Sequence, residues 1–511
     1  MFLAPKPRIS EADLRCGLRW LMADAGFATA VGALNSGVVL VAYALWLGAP
    51  NTVIGLLAAL PFWTQFLQAP AVSLVERLRA RRLISVLALF TARLALPLMA
   101  LLPVISDKHL ALALLVAGET VHCSLNAVGA CAWNSWIRDL VPERRLGVFF
   151  ARRSIWAALI GVAGNLVAGL ALQSQHASQG RGDGLVFTAL YGAGFLASLV
   201  STLSLARVPE PQMETAQPRQ TLVSLLSAPL KDANFVRLIR FLVSWQFAVN
   251  LATPFFTVFF VQQLGLGMAH VMGFTIVSQA ANILVLQTWG RLTDRFSNKT
   301  VLDVAAPGFL LCIAAMAWAS SIHDRAVLMA YLAVLHFGMG VASAGVSLAC
   351  GNIALKLAPR GSATAYVAAN ALLTSAAGGA APVLGGMFAD FFARRALTFQ
   401  VLWKNPHGVR AFTPVQFTHW DFYFVLAAAL GLYALHRLAF VHEAGVRHRQ
   451  EMVQEVLSGA RRSIRNLSPV AGLQQLAAAF PGGQLLEAHG RLRQQRRARR
   501  ARLKREEKLV A

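Results

Sequence analysis

The sequence predicts an all-α polytopic membrane protein with twelve transmembrane helices in two pseudo-symmetric six-helix halves. Three observations carry this: an apolar composition, a row of twelve apolar runs, and landmarks repeated at one offset. Of 511 residues, 56% belong to the set AVILMFWYC and 14% are charged, where soluble domains hold about 45–50% and about 25%. That composition excludes a soluble enzyme and a disordered chain. The formal charge of +24 then fits the basic loops of a membrane protein.

A membrane helix needs about 20 mostly apolar residues. Runs bounded by Pro, Gly and charge clusters place six spans near 19–47, 52–74, 83–104, 108–136, 153–173 and 185–207. Six more lie near 236–262, 269–289, 300–320, 326–355, 362–388 and 419–440. The corresponding segments are an N-terminus (1–18), a first bundle (19–207), a linker (208–235), a second bundle (236–440) and a basic tail (441–511). Residues before Arg19 already carry Lys6, Arg8, Glu11, Asp13 and Arg15, with no early apolar core, so no cleaved signal peptide is expected. Five cysteines (Cys16, Cys123, Cys131, Cys312, Cys350) stand singly without a CxxC pair, which predicts reduced thiols and no metal site.

Orientation follows from the cations. With both termini on one side, that side holds 39 of the 47 Lys and Arg, the other holds 7, and Arg93 falls inside span three. Cytoplasmic loops are the Lys- and Arg-rich ones, so both termini are expected in the cytoplasm. The exception is 389–418, placed outside yet carrying Arg394, Arg395, Lys404 and Arg410, which raises the alternative of a further helix there.

The chain also repeats itself. Glu76-Arg77 after span two matches Asp294-Arg295 after span eight at a separation of 218, and Asn134 matches Asn352 at 218. Leu47-Gly48 matches Leu264-Gly265, and Pro142 matches Pro359, at 217. Matching landmarks in two sets of six spans indicate duplicated halves with the same orientation in the membrane.

Within these landmarks the segment Gly290-Arg-Leu-Thr-Asp294-Arg295-Phe-Ser-Asn-Lys299 resembles the Gly-x-x-x-Asp-Arg-x-Gly-x-Lys/Arg loop of the major facilitator superfamily (MFS), with Ser297 at the second glycine. The first-half copy keeps Glu76, Arg77, Arg81 and Arg82 but has Val72 where the glycine belongs. The segment Trp133 to Pro142, with Gly147 to Phe150 and Arg152-Arg153, is similar to bacterial members of that superfamily. The resemblance covers roughly 15–445 and implies the MFS fold in a bacterial inner membrane, as a multi-pass protein. Ala381-Pro382 and Gly385-Gly386 are faintly similar to the superfamily's antiporter motif, but that motif belongs in span five, which has Gly161, Gly164 and Gly169 without a proline. Independently of the resemblance, an acid beside an arginine in a short loop can hold a neighbouring helix end in one state and release it in another; the same charges also serve as topology anchors.

Ionisable groups inside the bilayer cost about 2.5–3.5 kcal/mol each on insertion scales, so each one needs a reason. Glu119, His122 and Asn126 of span four share one helical face, with Glu119 roughly 15 Å deep at 1.5 Å per residue. Adding 217 to 119 gives His336 of span ten. The resemblance implies that spans one, four, seven and ten line a central cavity, which would gather Glu119, His122, His336, Trp245, Gln246, Asn250 and Asn35. Asp24, five or so residues into span one, reads as an exposed or helix-end group. A buried Glu beside a His has the makings of a proton relay, since burial and mutual attraction act oppositely on their charges. The structural alternative pairs Glu119 with Arg93. Arg93 itself is an anion-binding cation if the cavity reaches it, and otherwise the partner of an acid. Gln279, Asn282 and Gln287 of span eight read as packing or cavity-rim groups.

The tail 491–508, RLRQQRRARRARLKREEK, has ten cations and two acids. Without interleaved aromatic residues it predicts contact with anionic lipid headgroups rather than with nucleic acid. No P-loop, HExxH or GxSxG motif occurs, which argues against ATP-driven transport and against an enzyme. The expected function is a secondary active transporter of a small solute, coupled to protons and needing no cofactor. The alternative is a receptor or scaffold that kept the fold, consistent with the worn first-half motif.

Overall fold

The computed structural model describes residues 5–7, 9–177, 184–213, 229–358, 363–393, 395, 397–405, 408–417 and 419–443. Most of the linker, Pro359, Arg394 and the whole basic tail from 444 onward lie outside these residues. Among the described residues twelve helices are long and apolar enough to cross a membrane. They are Glu11–Trp46, Asn51–Leu78, Arg81–Val104, Lys108–Leu140, Arg152–Gln173 and Leu185–Ala206, followed by Ala233–Gln263, Met268–Arg295, Asn298–Ser321, Arg325–Ala354, Tyr366–Phe392 and Trp420–Ala439. Leu98, Leu196, Leu311 and Val334 are exposed on their outer surfaces, as side chains facing lipid should be.

The helix starts are written in capping residues. Ser10 accepts a hydrogen bond from the Asp13 N–H at 3.0 Å, so span one begins at Glu11, eight residues before its apolar run. Asp107 accepts from the His109 N–H at 2.9 Å and starts span four. Asp324 accepts from the Val327 N–H at 2.8 Å and starts span ten. These two aspartates are 217 residues apart, a further landmark at the repeat offset. Gly48 and Gly265, at the ends of spans one and seven, both have positive φ, 82° and 61°. A side chain there would cost roughly 1–2 kcal/mol, which gives the matched Leu-Gly pairs a physical reason.

One face of the molecule carries Ser10 and Glu443 and is called the near face; the opposite one is the far face. On the near face the acid that follows the sixth helix of each half caps the third helix of that half. Glu210 accepts from the Arg81 and Arg82 N–H groups at 2.7 and 3.1 Å. Glu443 accepts from the Asn298 and Lys299 N–H groups at 3.3 and 2.7 Å. Arg81 also pairs with Asp139 at the end of span four, and Lys356 near the end of span ten pairs with Glu443 at 2.8 Å. Each cap therefore joins the third, fourth and sixth helices of its half through charge-assisted bonds.

On the far face the halves meet. The Asp390 carboxylate of span eleven accepts from the Asn51 N–H at 3.0 Å, the Thr52 N–H at 2.8 Å and the Thr52 hydroxyl at 2.6 Å. It closes the open N-terminus of span two, where unpaired N–H groups and the helix dipole favour an anion. Span two then runs along span eleven, with Gly55 against the Pro382 carbonyl and Gly386 against the Asn51 carbonyl. A β-carbon at either glycine would strike backbone, so the close approach requires both. Asn165 of span five reaches Gln279 of span eight at 3.5 Å.

The segment 389–418, with its excess of cations, holds no extra helix among its described residues. Beyond the end of span eleven it forms an antiparallel hairpin of β1 (Leu397–Asn405) and β2 (Gly408–Phe417), with Leu397 opposite Phe417 and Asn405 opposite Gly408. Nine- and ten-residue strands rich in β-branched and aromatic residues suit a hairpin between two membrane helices. The five cysteines are free thiols.

Candidate functional site

Span one is not continuous. It breaks at Ser36-Gly37, where Gly37 has φ +57°, and resumes at Val38. That break, together with Gly32, is part of the wall of a cavity of about 750 Å³ within the first half. Asp24 of span one, Arg93 of span three, Glu119, His122 and Asn126 of span four and Arg153 of span five also line it. Thr253, Pro254 and Thr257 of span seven complete it from the second half. The wall between these polar groups is apolar, with Val31, Leu40, Ile54 and Leu57.

The charges fall into two sets. Arg93 donates from Nη1 to the Ser198 carbonyl at 3.0 Å and to the Thr202 hydroxyl, and from Nη2 to Ser201 Oγ at 2.9 Å. Ser201 passes the interaction on, donating to Asp24 Oδ1 at 2.7 Å. Asp24 is 4% exposed and Arg93 5%. Two buried opposite charges linked through hydroxyls of span six satisfy each other. This corrects two expectations: Asp24 is a buried cavity residue rather than an exposed helix-end group, and Arg93 is committed to Asp24 and span six rather than paired with Glu119. The cavity does reach Arg93.

The second set is less tied. Glu119, 5% exposed, accepts only a weak bond from Cys123 Sγ at 3.3 Å, and Tyr191 of span six lies within its electrostatic reach. His122 Nδ1 lies 3.0 Å from the Ala92 carbonyl; that carbonyl accepts, so Nδ1 donates. The Asn126 side chain donates to the His122 carbonyl at 2.9 Å. The Arg153 guanidinium lies 4.8 Å from the Trp133 ring centre, and its buried Nε has no hydrogen-bond partner. Arg153 stands at the edge of the apolar run in the sequence, but the helix of span five begins already at Glu143, so Arg153 is inside the helix and on the cavity wall.

Trp245 and Gln246 sit elsewhere. They line a separate pocket of about 350 Å³ in the second half, with Phe309, Ser343, Ser347, Asn370 and Thr374. Among the described residues this pocket holds no charged group. Asn250 is on the same helix and donates back to the Gln246 carbonyl at 2.8 Å. His336 is not on either cavity wall: it stacks between Phe260 and Phe274, centroids 5.4 and 5.0 Å away, with Nδ1 at 2.8 Å from the Leu332 carbonyl. Asn35 is buried against span six and donates to the Leu190 carbonyl at 3.5 Å. Neither residue joins the cavity that the resemblance implied for it. Of the span-eight amides, Gln279 bonds Asn165 and Asn282 bonds Ser343 at 3.1 Å.

The loop-motif residues lie on the near face. Glu76 and Arg77 end span two, Gly290, Asp294 and Arg295 end span eight, and Arg77, Asp294 and Arg295 are exposed. Lys299 starts span nine and donates from Nζ to the Ala439 and Val441 carbonyls at 3.1 and 2.6 Å. In this conformation the helix ends of the near face are held by Glu210 and Glu443, not by the motif acids.

Solved structures with the same fold include a nucleoside transporter, NupG, at 13% identity and TM-score 0.61, over 84% of this chain and 99% of that one. A bacterial homologue of the iron transporter ferroportin in an inward-facing state is similar at 12% identity and TM-score 0.61, over 85% and 100%. A D-xylose-proton symporter follows at 16% identity and TM-score 0.58, over 84% and 98%. No curated protein matches the chain. The sequence profile described as Major Facilitator Superfamily matches residues 25–382, and the chain belongs to that superfamily.

Proposed function

We propose that this transporter-family protein is a secondary active transporter that moves a small solute across the bacterial inner membrane by alternating access, coupled to protons through Glu119 with His122. The observation that carries the reading is the pairing of a sealed far face with a charged cavity behind it. Asp390 and the glycine contacts close one side, while the cavity extends from the Ser36-Gly37 break to Arg153 at the near-face end of span five. The excess of Lys and Arg in near-face segments supports a cytoplasmic near face with both termini there. On that reading the conformation is inward-facing, with Asp294 and Arg295 exposed at the near-face end of span eight.

Glu119 suits the coupling role because, unlike Asp24, it is not linked to an arginine through a hydroxyl, and among the described residues a thiol is its one hydrogen-bond donor. Its charge state can change without breaking a buried ion pair. The test is Glu119→Gln in proteoliposomes, with a solute found by melting-shift screening. Gradient-driven uptake should fall at least about tenfold, the lower end of what loss of a coupling step costs, while exchange without a gradient persists. Unchanged gradient-driven uptake would sink the proposal.

A further inference from the structure

We infer that the first-half cavity is a binding site for an organic monoanion, with Arg153 as the cation that holds it. The inference rests on the reading of this cavity as the solute site and adds the chemical class of the solute.

Two arginines line the cavity, Arg93 and Arg153, against two carboxylates, Asp24 and Glu119. Arg93 uses both terminal nitrogens on span six and, through Ser201, on Asp24. Arg153 lies within electrostatic reach of Asp24 but, among the described residues, makes no hydrogen bond; its face rests on Trp133, and its buried Nε is unsatisfied. Arg153 is half-buried with only its Nε sealed from solvent, so its terminal nitrogens can meet a solute in the cavity, and a carboxylate or phosphate accepts the forked donors of a guanidinium two at a time. Trp133 fixes the fork and leaves the outer edge available. The apolar wall of Val31, Leu40, Ile54 and Leu57 then suits a solute with a hydrocarbon body behind its acidic group.

The same count links the anion to the proton. Asp24 from span one, Arg93 from span three, Glu119, His122 and Cys123 from span four, Arg153 from span five and Tyr191 from span six are the titratable and charged groups around the site. With Glu119 ionised the two arginines and two carboxylates balance. With Glu119 protonated one positive charge is left over, and a monoanion restores balance. The anion therefore binds more tightly to the form protonated at Glu119, and a proton and an anion travel together without net charge.

The experiment measures the melting temperature of the purified protein in detergent, at pH 6 and pH 8, with a series of linear and aromatic monocarboxylates and with their amides as uncharged matches. Carboxylates should raise the melting temperature, and the amides should not. Arg153→Gln should lose the shift and Arg153→Lys should keep part of it, with both variants melting near wild type when no solute is added. Equal stabilisation by acids and amides, no stabilisation by any acid, or a full shift in Arg153→Gln would overturn the inference. Glu119→Gln separates this site from the coupling role: it should keep the carboxylate shift. If that variant binds carboxylates yet retains gradient-driven uptake, the anion site stands and the coupling assignment fails.

Discussion

The two cavities occupy equivalent places in the two halves yet hold opposite chemistry. Ala28 and Trp245, Asn126 and Ser343, Ala130 and Ser347, Trp133 and Cys350, and Arg153 and Asn370 are pairs separated by 217 residues, and each pair contributes one residue to each cavity wall. The duplication has kept the shape of the wall and changed its charge. Where the first half has Asp24, Arg93 and Arg153, the second has phenylalanine, leucine and asparagine at the same offset. Among the described residues the charged wall groups belong to the first-half cavity, while the second offers amides, hydroxyls, the Cys350 thiol and the Trp245 ring. The scaffold around the two cavities is the same, down to the aspartate caps of spans four and ten and the glutamate caps of spans three and nine.

Breaking the charged side should have the largest effect. Arg93→Gln leaves Asp24 buried without its counter-charge and should destabilise the protein by about 3–5 kcal/mol. A reversible unfolding titration checks this, and Asp24→Asn added to it should recover part of the loss. Removing the bond between the halves comes next. Asp390→Ala takes the acceptor from two N–H groups and a hydroxyl, and should shift the far-closed population by about 1.5–3 kcal/mol, roughly tenfold to a hundredfold. Labelling of an introduced Ser36→Cys by an impermeant thiol reagent from the far face should rise accordingly; unchanged labelling would mean that Asp390 does not hold the face shut.

Effects shared by both halves should be smaller and equal. Glu210→Ala and Glu443→Ala each uncap a third helix and should cost about 1–2 kcal/mol in thermal or denaturant unfolding. Clearly unequal losses would show that the caps have diverged as the cavities have. Smallest of all is Asn370→Leu: its Oδ1 is already buried without a partner, so the change should alter stability by less than about 1 kcal/mol.

The duplicated fold was legible because its signals are local. A capped start, an apolar run and a left-handed glycine are each written in a few residues, and the offset of 217 multiplies them. Position across the membrane was harder to read for charged residues at the edges of the runs. Asp24 counts as five residues deep from the start of its apolar run, but the helix starts at Glu11, because its charged first turns extend the same helix into the near face. Arg153 was hidden in the same way by the helix that begins at Glu143. The offset could have exposed it, since Arg153 and Asn370 are both polar residues inside helices at matched positions. His336 shows the limit of the repeat as a guide. It matches Glu119 in the chain, yet Phe260 stands where the first half has Tyr43, and with Phe274 it closes over the imidazole.

The central claim is that the charged half of the duplication binds the coupling proton, at Glu119, when the solute binds. The most direct measurement adds a stabilising monocarboxylate to the purified protein in weakly buffered detergent solution at pH 8 and records the change in proton concentration. Wild type should take up protons in proportion to the solute bound, and Glu119→Gln should bind the solute with no uptake. Equal uptake by both proteins would contradict the account.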